Sequence, residues 1–229
     1  MPTLNTRQNL ATLLALGTLC LATSPALGCG GEWFGEMSRI ERPQKQIDYR
    51  PINIPKAEDK LEKGFTISAA GLVLRTIPHL QTLSAIPGST VERAQRVMAV
   101  ITARHAGAIP LGYEVPKHAT GSWLGTTEED RAKNLSWAVQ VMKQAAEKKT
   151  ADPVFETELA ETLAASPSHR AEGKKRLESL AKRDLLATPE GYAKLAQLRQ
   201  DKAGKKLALK RCTEMTKNSA ICRGDIAQS

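Results

Sequence analysis

Ser179 and Lys182 stand three residues apart in Ser179-Leu180-Ala181-Lys182. On a helix that spacing brings an amine one turn from a hydroxyl, the arrangement that activates a nucleophilic serine. Such a site needs companions, and neither Ser-Asp-Asn nor Lys-Thr-Gly follows in the chain. In a lysine-rich segment the pattern reads as an ordinary helix face. The histidines, His79, His105, His118 and His169, keep no metal-ligand spacing, and neither His-Glu-x-x-His nor Cys-x-x-Cys-His occurs. There is no phosphate-binding loop and no dinucleotide fingerprint. The residues therefore predict no catalytic site, no metal and no cofactor. The cysteines Cys20, Cys29, Cys212 and Cys222 are the chemistry that remains.

Arg7 is followed by an apolar run of 13 residues, Leu10 to Ala22, then by Ser24-Pro25-Ala26-Leu27-Gly28-Cys29. The run is too short to cross a bilayer about 30 Å thick as a helix. A basic start, a short apolar stretch and small residues together predict a secretion signal over 1–28. Ala26-Leu27-Gly28-Cys29 resembles a bacterial lipobox, in which a small residue precedes a cysteine that is acylated. It departs from the usual pattern because Leu sits at 27, one place late, and Ala26 holds the leucine position. Ordinary cleavage after Ala26 or after Gly28 is the alternative. Once the signal and Cys20 leave, three thiols remain, an odd number in an oxidising compartment. Acylation of Cys29 and a Cys212–Cys222 bridge would account for all three; a buried free thiol at Cys212 is the other possibility. The resemblance to lipoproteins, with Gly30 rather than Asp after Cys29, implies an outer-membrane protein facing the periplasm; the alternative is a soluble periplasmic or secreted protein.

The mature chain of about 200 residues is long enough for one good core or two small ones. Aromatic residues make up only 4%, a composition suited to helices. Residues 29–55 carry Arg42-Pro43, Arg50-Pro51 and Ile54-Pro55 and predict an extended tether, with Trp33 and Phe34 as an aromatic pair that would dock on the domain or a partner. Beyond it, Ser89-Thr90-Val91-Glu92 and Thr126-Thr127-Glu128-Glu129 fit the capping box, and Asp152-Pro153, Ser166-Pro167 and Thr188-Pro189 fit helix starts. Helices are expected near 56–63, 66–77, 90–105, 127–149, 153–165, 168–184, 189–200 and 203–217. The domain then spans 56–217, with a tail at 218–229 and a long loop at 107–125. Tyr113 and Trp123 in that loop are the candidate loop site, and would pack back on the domain or meet a ligand.

Apolar and small residues recur at a period near 35. Ala138, Met142 and Ala145 form one stripe, Gly173, Leu177 and Leu180 a second, and Ala208, Cys212 and Met215 a third. Leu159-Ala160 and Leu195-Ala196 lie 36 residues apart. These residues resemble the tetratricopeptide repeat, with Leu and a small residue in a first helix and Ala, a large apolar residue and Ala in the second. Ala57 to Gly64, with Ala69-Ala70 and Val73, looks like another pair with Gly64 in its turn. The resemblance covers 56–80 and 127–217 and implies an all-α fold of antiparallel helix pairs stacked as a short solenoid; a plain helical bundle with similar spacing is the alternative. Some proteins of that family hold a peptide carboxylate with Lys and Asn on the first helices. The corresponding places here hold Thr157, Glu161, Ala193 and Gln197, so that clamp is not expected.

After removal of the signal, 32 basic and 24 acidic residues remain, and residues 170–223 alone carry a net charge of +9. Lys174, Lys175, Arg176, Lys182, Arg183, Lys205, Lys206, Lys210 and Arg211 form a candidate basic surface, provided Leu177, Leu180, Leu195, Ala208, Cys212 and Met215 turn inward. Such a surface would meet anionic lipid or wall polymer, or simply be solvated. Export argues against nucleic acid, and none is expected as a partner. The sequence thus predicts a non-catalytic envelope lipoprotein, membrane-attached by its lipid anchor, whose helical repeats bind an unidentified envelope protein or peptide. A small enzyme acting on cell-wall polymer at the 107–125 loop, or a purely structural envelope protein, are the alternatives.

Overall fold

Most helix boundaries follow from local start signals. A computed structural model of the chain describes residues 47–112, 115–147 and 152–223. The signal segment, Cys29, the tether up to 46, Tyr113 and the tail after Arg223 lie outside them. Ser89 caps α3 (Thr90–Arg104): its hydroxyl accepts from the Glu92 N–H at 3.2 Å, while the Glu92 carboxylate accepts from the Gly88 N–H at 2.6 Å. Asp152, Thr188 and Asp201 cap α6 (Pro153–Ala165), α8 (Pro189–Leu198) and α9 (Lys202–Met215) in the same manner. Thr127, not Thr126, caps α5 (Glu128–Ala146), accepting from the Asp130 N–H, so the expected box is displaced by one residue. Ser166-Pro167 opens a 3-10 turn at Pro167–His169, and α7 (Arg170–Lys182) starts after it without a side-chain cap.

The first helix corrects an expectation. Prolines were to keep the chain extended as far as residue 55, yet α1 runs Arg50–Glu62. Pro51 falls in the first turn, where no N–H is needed, and Pro55 forfeits one internal bond. Complete burial of Ile54 and Ala57 offsets that loss. Gly64 makes the turn into α2 (Thr66–Thr76) at φ +81°, a conformation that glycine adopts without penalty.

The described residues are helical, with no strand among them. Successive long helices pack in pairs: α1 with α2, α3 with α5, α6 with α7, α8 with α9. Each first helix also touches the next first helix (α1–α3, α3–α6, α6–α8), and each second helix touches the first helix of the following pair (α2–α3, α5–α6, α7–α8). Among the described residues two large apolar clusters result, with α6 between them, and a small third one of Ala103, Leu135 and Ala165. Phe155, Leu159 and Leu163 face the earlier pairs, and Ala160 and Ala164 face the later ones. Almost every residue from Phe155 to Ser166 is buried, Glu158 and Glu161 included.

The stripes at Ala138, Met142 and Ala145 and at Gly173, Leu177 and Leu180 are buried as expected, as are Leu195, Ala208 and Cys212. Met215 is not; it is 45% exposed. A short helix absent from the sequence expectation, α10 (Ser219–Arg223), packs on α8 instead and buries Ile221 and Cys222 in the later cluster. The expected Cys212–Cys222 disulfide holds it there, with Cα atoms 5.8 Å apart. Closing so short a loop constrains the unfolded chain by about 2–3 kcal/mol.

The α6–α7 crossing is tight because Gly173 has no side chain: a Cβ there would lie 2.2 Å from the Ala164 nitrogen. Inside a helix, Ala normally stabilises by about 1 kcal/mol relative to Gly. At this crossing it must push two backbones apart. Gly173→Ala is therefore expected to lower stability by about 1–3 kcal/mol in thermal unfolding followed by circular dichroism. An increase in melting temperature would contradict the crossing.

Candidate functional site

The densest chemistry lies where α3, α6 and α8 meet. Glu158 and Glu161 share one face of α6, and Arg96 and Arg104 lie along α3 opposite them. Arg104, at the last position of α3, donates from Nε to Glu161 at 3.1 Å and from Nη1 to Glu190, in the first turn of α8, at 2.9 Å. All three side chains are under a tenth exposed. The Thr188 hydroxyl, which caps α8, also donates to Glu161 in a short contact. Arg96 pairs with Glu158 at 2.6 Å and lies over the Phe155 ring at 5.4 Å.

Burial shifts several of these groups. It raises Glu158 and Glu190 above the usual carboxylate range, against the pull of Arg96 and Arg104 respectively. Burial opposes charge on Arg104 as well, but the neighbouring glutamates, Glu161 foremost, outweigh it and hold the guanidinium charged. Lys194 sits beside the cluster, its amine lowered by burial and then by the charge of Arg170. Arg104, Glu161, Glu190, Lys194 and Gln197 line a cavity of about 50 Å³. That volume suits water or a single small ion. Glu161, Ala193 and Gln197, three of the four places where the repeat resemblance would put a carboxylate clamp, do converge on this cavity. What they converge on is a neutralised charge network with no room for a peptide.

His105, next to Arg104, is buried and shares a 2.8 Å hydrogen bond through Nε2 with the Thr66 hydroxyl. Its Nδ1 and the hydroxyl of Thr102 have no partner among the described residues. Burial, and secondarily the Arg104 charge, bring its pKa down to about 4.

The 107–125 loop is held rather than open. Asn134, fully buried on α5, donates to the carbonyls of Gly107 and Ser122 at 2.8 Å each, and the Arg131 Nε donates to the Gly125 carbonyl at 2.7 Å. The loop contains a turn of helix, α4 (Lys117–Thr120), and a 3-10 turn at Gly121–Leu124. Trp123 points into the core, 3% exposed, and meets Trp137 edge-on at 5.0 Å. It is a packing residue, unavailable to a ligand; Tyr113 lies outside the described residues. Ser179 and Lys182 are both exposed on α7, in no contact with each other that would activate a nucleophile.

The nine candidate basic residues reach the surface, with Lys174 partly covered, but they are not one uniform patch. Lys174 pairs with Glu178, Arg176 with Glu156 and Glu172, Lys210 with Glu214, and Arg211 with Asp184 and Glu214. Lys175, Lys182, Arg183, Lys205 and Lys206 have no acidic partner within 4 Å among the described residues. Sequence reasoning missed the Arg104 cluster. The available signal was weak: Glu158 and Glu161 sit in a helix whose remaining residues, Glu156 apart, are apolar or small.

Arg104→Met leaves Glu161 and Glu190 buried without their cation. The expected loss is about 3–5 kcal/mol of unfolding free energy near neutral pH. Without Arg104 the folded state favours protonated carboxylates more strongly than the unfolded state does. The deficit should therefore shrink as pH falls from about 7 towards about 5, as read by denaturant titrations across that range. His105 contributes with the opposite sign. Its folded value, about 4, is below the ordinary 6.5, so acid protonates the unfolded chain first. The stability gained by keeping it neutral is present above pH 6.5 and is lost as pH falls to about 4. His105→Gln should remove that slope, up to about 3 kcal/mol in total.

No protein family, curated protein or solved structure matches this chain, so its own geometry carries the functional reading.

Proposed function

We propose that the mature protein is a non-catalytic cell-envelope lipoprotein in which helix pairs, stacked as a short tetratricopeptide-like solenoid, form a scaffold for a protein partner. The observation that carries this reading is the order of packing. Pair follows pair, and each second helix touches the first helix of the next pair, the contact pattern of a repeat stack. Small residues at the crossings, Gly173 against Ala164 and Gly191 against Thr157, support it. The Cys212–Cys222 bridge fits an oxidising compartment. The address itself rests on the sequence, on Arg7, the apolar run Leu10–Ala22 and Cys29.

In this reading an acyl anchor at Cys29 is reinforced by the unpaired basic residues of the last two helix pairs. One acyl chain binds membrane only marginally, and each cation near an anionic surface adds about 1 kcal/mol. Fractionation of a bacterial host tests both parts. The full chain should sediment with membranes, and intact mass should place acyl chains on an N-terminal Cys29. Cys29→Ser should shift the protein to the soluble fraction. With Lys175, Lys182, Arg183, Lys205 and Lys206 changed to Gln, the lipidated protein should be extracted at lower salt. A mature N-terminus at Leu27, or a free Cys29 thiol, would refute the anchor.

A further inference from the structure

A second depression lies on the outer side of α5, sharing no residue with the Arg104 cavity. It measures about 550 Å³ and runs between α5 and the segment that follows the 3-10 turn Leu80–Thr82. Trp137, Gln140 and Gln144 line one wall, at i, i+3 and i+7 of the helix, with Glu147 one turn further on. Gln140 and Gln144 are exposed, and their amides have no partner among the described residues. Trp137 is half-buried, held edge-on by Trp123. The 107–125 loop thus fixes the aromatic end of the groove.

The opposite wall is the segment from Gln81 to Ala85, with Glu92 and Gln95 of α3 beside it. The chain leaves Leu83 extended, at φ −84° and ψ 134°. Gln95 pins it by donating to the Leu80 and Leu83 carbonyls at 3.2 and 2.8 Å. The N–H and C=O groups of Ser84 and Ala85 have no partner among the described residues. Open backbone hydrogen-bonding groups next to an extended residue can pair with a second extended chain. Across from it, each glutamine amide offers a donor and an acceptor, the complement of a peptide unit.

Charge narrows the ligand further. In a chain with 33 Lys and Arg against 24 Asp and Glu, the described residues lining this groove include no basic one and two acidic ones, Glu92 and Glu147. Phosphate-bearing lipids and anionic polymers are disfavoured there, and a cationic side chain is favoured.

We propose that this groove binds an extended peptide segment of a partner protein, paired with Ser84 and Ala85 on one side, held by Gln140 and Gln144 on the other, and carrying a Lys or Arg towards Glu147. The proposal rests on the reading of the chain as a partner-binding scaffold and names the surface that does the binding.

The test uses the full-length mature protein with Cys29→Ser, so that no lipid interferes, and a displayed library of random linear peptides. Enriched peptides should carry Lys or Arg. The double variant Gln140→Ala/Gln144→Ala, on an exposed helix face where Ala is a good helix former, should weaken them by about tenfold with an unchanged melting temperature. Glu147→Lys should weaken them at least as much and shift selection towards acidic peptides. Enriched peptides that bind these variants as tightly as the parent would overturn the groove but leave the scaffold reading standing. A library that yields no binder would count against both. Tetra-N-acetylglucosamine is the control ligand: if it quenches tryptophan fluorescence and is lost in the double variant while no peptide binds, the groove is a saccharide site and the proposal is wrong.

Discussion

Burying one guanidinium among three helices is the constraint on which this fold depends. Arg104 ends α3, and its two hydrogen-bonded carboxylates belong to α6 and α8, the first helices of the two following pairs. Charges removed from water cost several kcal/mol each unless geometry and hydrogen bonding are nearly complete. Only one relative placement of α3, α6 and α8 supplies both partners to Arg104 and also lets the Thr188 hydroxyl reach Glu161. A cluster of this kind adds little net stability over an apolar core. It makes alternative registers of the stack expensive, because any shift leaves a buried charge unpaired. Arg96 and Glu158, two turns earlier along α3, repeat the device between α3 and α6.

Around that cluster, close approach is secured by missing side chains. The α6–α7 crossing relies on Gly173 against the backbone of Ala164, and α8 approaches α6 where Gly191 faces Thr157. The same economy of space operates in the 107–125 loop. A Cβ at Gly125 would lie 2.6 Å from the Gly107 carbonyl oxygen, and both glycines have positive φ. Asn134 then satisfies the carbonyls that the crossing leaves inside, and Gln81 satisfies Asn134 at 3.0 Å. A long connection with only two short helical turns thereby becomes a fixed support for Trp123, and through it for Trp137.

These features divide the molecule's possible work. The inner faces of α3, α6 and α8 are filled with matched charge, which leaves a cavity suited to water or an ion. Ile221 comes within 3.4 Å of the place where a Cβ on Gly64 would sit, so the last helix reaches the first turn. A partner therefore has to approach from outside. There the unpaired cations of α7 and α9 and the acidic, amide-rich groove beside α5 offer surfaces of opposite character.

The all-helical class, the helix starts at Ser89, Asp152 and Thr188, the turn at Gly64, the buried stripes and the Cys212–Cys222 pairing were readable from the sequence. Each depends on neighbours within a few turns or on the chemistry of a single residue type: a hydroxyl or carboxylate before a helix, a glycine at positive φ, a period in apolar residues, a parity of thiols. The start of α1 was misjudged because proline rules describe isolated backbone, whereas burial of Ile54 outweighs one missing bond. Met215 was misjudged because a five-residue helix, tethered by the disulfide, buries Ile221 and Cys222 on α8 in its stead. Trp123 was placed in a candidate site because a loop without periodicity gives no clue to which side chains face inward. Only the tertiary structure decided the Arg104 cluster and the groove beside α5. Glu161 lies 57 residues from Arg104 and Glu190 lies 86, and Gln144 lies on α5 while Ser84 lies in the connection that precedes α3. Separations of that size leave no local pattern, because the partners meet only when whole helices have packed.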